Sequence, residues 1–229
     1  MPATSGSLEA GMGVGGLPPP PPPAEKPEWW ASPSVVGLMG FGTTTMIAGL
    51  SNLPDPYDLG FANNWVVYGM ALAFGGIAQL IAGLIGLRKG NLFAGSAFVG
   101  YGSFWIAYTF MLAFFVFDAG ATSPFYYGVA GFAFIWMLFT FTFMINAPKH
   151  GWGITFVFVF LFISFALLVA KFWSLAAGVN ATGNSSPFYQ TGADNWIVGG
   201  IIILTGLIAW YVATAILTNW NYGRKILPE

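Results

Sequence analysis

The chain has 229 residues, of which 56% are hydrophobic and only 7% charged, and its mean hydropathy is +0.71. No soluble domain of this size covers its surface with so few charges, and the formal net charge of -1 comes with no basic patch for nucleic acid. The absence of cysteine excludes disulfides and thiolate chemistry.

The first 30 residues begin with small and polar side chains, pass through prolines from Pro18 to Pro23 and end in EKPEWW. They lack the basic start and apolar core of a signal peptide. Residues 1–30 read as a disordered, Pro-rich cytoplasmic tail and residues 31–229 as a membrane domain, with Trp29 and Trp30 suited to an interface. Six apolar runs then have the roughly 20 residues that a bilayer-spanning helix needs. They cover about Val35 to Asn52, Trp65 to Leu87, Leu92 to Phe117, Tyr126 to Ile145, Trp152 to Trp173 and Trp196 to Leu217. None alternates with period two as a barrel strand does, so the reading is an all-α integral membrane protein with six transmembrane helices.

The connections between these runs alternate in character. RKGN and APKHG are short and predict tight hairpins, whereas the opposite connections are longer and rich in Pro, Asn and Asp. Six crossings put Lys26, Arg88, Lys89, Lys149, Arg224 and Lys225 on one face and Asp55, Asp58, Asp118 and Asp194 on the other, which by the positive-inside rule makes both termini cytoplasmic. Lys171, near the outer end of the fifth run, is the exception and reads as a snorkelling side chain. SPFY occurs at Ser123 and again at Ser186. NWVV from Asn64 and NWIV from Asn195 each set an Asn near a helix start. Asn180 and Asn184 head glycosylation sequons.

Inside the helices, glycines recur at close spacing, among them Gly37, Gly40 and Gly42, then Gly75, Gly76 and Gly83, then Gly95, Gly100 and Gly102. Helix packing accounts for most of them. Polar side chains also occur there: Thr43, Thr44 and Thr45 in the first run, Gln79 in the second, and Tyr101 and Ser103 in the third. Together they suggest a narrow, partly polar path; for Tyr101, packing between helices with a satisfied hydroxyl is the equal alternative.

GLMGFGTTT from Gly37, AFGGIAQLIAGL from Ala73, KGNLFAGSAFVGYGSFW from Lys89 and YGRKILP from Tyr222 together resemble the acetate uptake transporter family, the microbial succinate/acetate permeases. The resemblance covers about residues 32 to 228. It implies a hexameric ring of six-helix protomers in the cell membrane, each with its own pathway for acetate and related small carboxylates, with proton-linked uptake and no cofactor. It also implies a hydrophobic waist built from Phe41, Tyr101 and Leu161. The family's entrance motif, N-P-A-P-L-G-L, reads SPSVVGL here: Pro33, Gly37 and Leu38 match, Ser32 replaces the Asn, and Val35 replaces the second Pro. Ser32 retains the chemistry of a helix cap. Gly100 stands where the family has a serine beside the waist tyrosine, and Tyr101 is expected to offer its hydroxyl to a passing carboxyl group.

The helices contain no Asp, Glu or Arg, and their only charged side chain is Lys171, so no carboxylate relay carries a proton across. The expectation is that the acid crosses the waist neutral, after its anion is gathered near Ser32 to Gly37 at the start of the first helix. Substrate-binding candidates are Ser32, Gly37, Thr44, Gln79 and Ser103. A pore for urea or another small amide is the alternative, and a non-transporting scaffold using the Pro-rich tail is a third reading. An enzyme is disfavoured: His150, the one histidine, sits beside Lys149 in a turn with no metal-ligand cluster or nucleophile–base pair.

Overall fold

Backbone amides in lipid must find partners within their own segment, and every regular element among the described residues is helical. The computed structural model describes residues 31–53, 65–111, 113, 122–182 and 193–229, without the side chains of Trp65, 179–182 and 193–194. The tail over residues 1–30, Asp55, Asp58, Asn64, Asp118, the Asn184 sequon and the second SPFY lie outside the described residues, as do the side chains of Asn180 and Asp194.

Helix α1 is Ser34–Leu50. Helix α2 runs without a break through Trp65–Met70, a π-helical stretch Ala71–Ala78, and Gln79–Arg88. Helix α3 is Leu92–Phe110, α4 is Ser123–Asn146 closed by a 3-10 turn Ala147–His150, α5 is Trp152–Thr182 and α6 is Ala193–Tyr222. Among the described residues, four stretches are long and apolar enough to cross a bilayer: Val66–Arg88, Ser123–His150, Trp152–Gly178 and Asn195–Tyr222. Helix α1, with 17 residues, is shorter.

Several boundaries differ from those read in the sequence. Helix α4 starts at Ser123 because Pro124 sits in its first turn, where a missing N–H costs nothing. Helix α5 continues past Trp173 to Thr182, since SLAAGVNAT holds no proline to stop it. Helix α6 opens at Ala193, which puts Asn195 inside the first turn rather than at the cap. The π-helical stretch had no signature in the apolar pattern.

RKGN is a hairpin with two functions in four residues. The Asn91 N–H donates to the Gly86 carbonyl and the Gly90 N–H to that of Leu87, with Gly90 at φ +81°, which closes α2 in a Schellman turn. Asn91 then caps α3 by accepting from the Ala94 N–H at 3.0 Å.

Helix α1 packs along α6, α2 along α3, α4 along α5, and α5 against α6. The α1–α6 contact is nearly backbone on backbone. A Cβ at Gly42 would lie 2.7 Å from the Gly206 carbonyl oxygen, and one at Gly206 2.6 Å from that of Gly42. One end of the bundle gathers the basic turns: His150 stacks on Phe93 with ring centroids 3.9 Å apart, and the Glu229 backbone passes beside Gly151. Arg88, Lys89, Lys149, Arg224 and Lys225 belong to that end.

Gly42→Val should force α1 from α6 and cost about 1–3 kcal/mol, lowering the apparent Tm in detergent by about 5 °C. Gly131→Ala, where an added Cβ meets nothing within 4 Å, should leave Tm unchanged or raise it. Equal losses for the two in thermal unfolding would contradict this packing.

Candidate functional site

Two cavities meet inside the bundle among the described residues. The smaller, about 160 Å³, is lined at the basic end by Ser34, Asn91, Phe93 and His150 and reaches inward to Gln79. The larger, about 340 Å³, runs from Asn52, Tyr126 and Lys171 inward to Thr45 and Trp105. Among the described residues, three line both: Phe41 of α1, Tyr101 of α3 and Leu161 of α5. All three are buried, at 5%, 3% and 5% exposure, and they form an apolar partition where the cavities meet.

Tyr101 is fixed from several sides. Its ring lies 5.4 Å from that of Phe41, tilted by 58°, and meets Phe139 edge-on at 5.4 Å. Its hydroxyl is 2.9 Å from the Thr140 hydroxyl, whose own proton is donated to the Trp136 carbonyl at 2.7 Å. With Tyr101 as donor both hydroxyls are satisfied at once, Tyr101 on Thr140 and Thr140 on the Trp136 carbonyl. The Tyr101 hydroxyl, expected from the sequence to meet a passing carboxyl group, is engaged with Thr140 of α4 in this structure. Gly100 has a matching reason, because a Cβ there would run into the Phe139 ring that backs Tyr101.

Beside the partition lie polar groups without hydrogen-bond partners among the described residues. Gln79, fully buried, has neither amide atom paired and lines the smaller cavity. It directly follows the π-helical stretch, whose wider turns change the face on which the following side chains emerge. Thr45 Oγ1 and Trp105 Nε1 are likewise buried and unpaired, and both residues line the larger cavity.

The other sequence candidates fall elsewhere. Thr44 lines neither cavity: it is buried against Gly75 and its hydroxyl donates to the Met70 carbonyl at 3.4 Å. Thr45, the next residue round the helix, takes the cavity position. Ser103 is exposed and donates to the Val99 carbonyl at 2.8 Å, because residues two apart on a helix face away from each other and Tyr101 faces inward. Gly37 is covered by the Phe98 ring, 2.6 Å from where a Cβ would sit. Ser32 is exposed and precedes the cap residue, Pro33; its hydroxyl accepts from the Ser34 N–H at 3.4 Å. Lys171, expected from the sequence to snorkel, lines the larger cavity and donates to Asn52 Oδ1 at 2.8 Å. An ionisable residue within an apolar span was the signal available for it. Among the described residues no group of three His, Cys, Asp or Glu could hold a metal ion.

Polar groups thus lie in cavities on either side of an apolar partition whose three residues carry no charge. The model of the GPR1/FUN34/yaaH family matches residues 15–223. The chain is 35% identical over 199 residues to the succinate-acetate/proton symporter SatP of Escherichia coli strain K12, across 86% of this chain and 94% of that protein. It is 31% identical over 205 residues to ammonia transport outward protein 2 of Saccharomyces cerevisiae, across 87% of this chain and 66% of that one. The solved structure of the bacterial acetate channel SatP matches with a TM-score of 0.72 and 32% identity, covering 87% of this chain and 98% of the other. These relatives are transporters or channels, not enzymes, and with the apolar helices they identify a multi-pass protein of the cell membrane.

Thr140→Val should strand the Tyr101 hydroxyl in an apolar wall and destabilise the protein by about 1–3 kcal/mol. Adding Tyr101→Phe should recover part of that loss, because no orphaned hydroxyl then remains. Strictly additive losses in thermal unfolding would show that the two hydroxyls are not coupled.

Proposed function

We propose that this chain, which belongs to the GPR1/FUN34/yaaH family, takes up acetate, and succinate as a further substrate, across the cell membrane, with the acid crossing the Phe41–Tyr101–Leu161 partition in neutral form. In this reading the protomer has six spans, α1 and α3 included, with both termini cytoplasmic, and assembles as a homo-hexamer with one pathway per protomer. The observation that carries it is the pair of cavities that meet at those three buried residues. Similarity to a succinate-acetate/proton symporter and to an acetate channel supports the substrate class.

The mechanism follows from desolvation. A carboxylate entering an apolar constriction loses its water, and Phe41, Tyr101 and Leu161 offer no charge in return, with the Tyr101 hydroxyl already engaged with Thr140. A protonated acid avoids most of that cost. No Asp or Glu lines either cavity among the described residues, so the proton travels with the substrate rather than through a side-chain relay. Thr45 and Trp105 on one side and Gln79 on the other are placed to exchange hydrogen bonds with the solute as it leaves water and regains it.

With the basic end in the cytoplasm, the larger cavity faces outward and the smaller one inward. The start of α1, expected from the sequence to gather the anion first, contributes Ser34 to the smaller cavity and so belongs to release. A second reading has support of its own. An uncharged partition also suits a small neutral solute, and the 31% identity to ammonia transport outward protein 2 favours ammonia over urea for that role.

Labelled acetate uptake into proteoliposomes should be saturable and should rise steeply from about pH 8 to about pH 6, since the neutral fraction of a carboxylic acid changes about tenfold per unit above its pKa. A flat profile would rule out neutral crossing. Tyr101→Ala joins the cavities and should raise flux while weakening discrimination against larger acids. Protein-dependent methylamine flux without acetate flux would favour the second reading.

A further inference from the structure

Lys171 is the one charged side chain among the described residues that line the larger cavity. It is held from across the bundle: α5 carries the lysine, and Asn52, just beyond the end of α1, supplies the acceptor at 2.8 Å. The orientation of Asn52 is set in turn, because its Nδ2 donates to the Ala48 carbonyl at 2.8 Å and leaves Oδ1 for the ammonium. An ammonium has three protons, and Asn52 takes one. Among the described residues no carboxylate lies within ion-pair range to accept the other two.

We propose that Lys171, aimed by Asn52, is a binding site for a single carboxylate anion in the larger cavity. This rests on the acetate reading and adds to it a capture step ahead of the partition. A cavity of about 340 Å³ equals roughly ten water volumes, enough for a small acid and its remaining hydration. A lone cation between apolar walls raises the local concentration of anions, because field lines are focused where the surroundings polarise little. Deeper in the same cavity, Thr45 and Trp105 offer unpaired polar groups. The anion held at Lys171 thus has polar contacts along its way inward, and it takes a proton from hydronium in the water of the larger cavity, leaving water behind, before it enters the partition. Packing alone would be served by an uncharged chain of similar length, and it predicts no ligand preference at this position.

The test is equilibrium binding of ¹³C-acetate to the full chain in detergent, by saturation-transfer NMR, with acetamide as the uncharged isostere. Lys171→Met and Lys171→Gln should weaken acetate binding about tenfold, and Lys171→Arg should retain most of it, as expected for loss or preservation of a charge-assisted hydrogen bond. Acetamide binding should not change. Acetate affinity within about twofold of the unaltered protein in either neutral variant that keeps its Tm, or no preference for acetate over acetamide in the unaltered protein, would overturn the proposal. Proteoliposome flux on the same preparations separates the two claims. Lys171-dependent binding without acetate flux leaves the site standing and removes the transport reading. Acetate flux at low concentration that ignores the neutral variants removes the site and leaves transport standing.

Discussion

Every polar group removed from water inside this bundle must be satisfied by the chain itself or by what passes through it. That desolvation constraint organises the interior. The Tyr101 hydroxyl is tied to Thr140, and Thr140 to the Trp136 carbonyl, so the one phenol at the partition presents only its ring to the cavities. Gln79, Thr45 and Trp105 keep polar atoms unpaired among the described residues, and all three line a cavity. Other cavity-lining groups, Asn91, Ser51, Asn52 and Ser164 among them, are held by hydrogen bonds to the helices.

Holding the partition in place requires helices to approach more closely than side chains allow. Gly42 and Gly206 bring α1 onto α6, and Gly102 brings α3 to within 2.7 Å of the Leu80 backbone nitrogen, measured from a Cβ built on it. Gly100 makes room for Phe139, which in turn braces Tyr101. The three residues of the partition come from α1, α3 and α5 and depend on these contacts for their mutual spacing. In lipid, where helices gain nothing from burying apolar surface against each other, such packing is the main source of precision.

In the proposed pathway, charge is dealt with at the ends and excluded from the middle. Lys171 lines one cavity and His150 the other, with the apolar partition between. A permeating acid under this scheme meets a cation where water is still present and gives up its charge before the dry segment. Acetate and ammonia, the solutes in the names of these relatives, both have a small neutral form that such a partition would admit under this proposal.

Membrane class, helical architecture and the hairpins at RKGN and APKHG were legible in the residues themselves, because hydropathy, chain length and turn chemistry are local properties. Phe41, Tyr101 and Leu161 were named through motif resemblance, and their common position between two cavities is a fact of packing. What the residues alone left undecided was facing. Thr44 and Thr45 are neighbours in sequence, as nearly are Tyr101 and Ser103, and a helix turns about 100° per residue, so one of each pair reaches a cavity while the other meets a backbone carbonyl or the exterior. The π-helical stretch ahead of Gln79 shifts that facing again without any mark in the apolar pattern. Lys171 needed Asn52, 119 residues away, to turn it inward. Sequence determined which groups enter the membrane; only the tertiary structure decided which of them are satisfied there, since the partner that satisfies a buried group is set by helix rotation and approach.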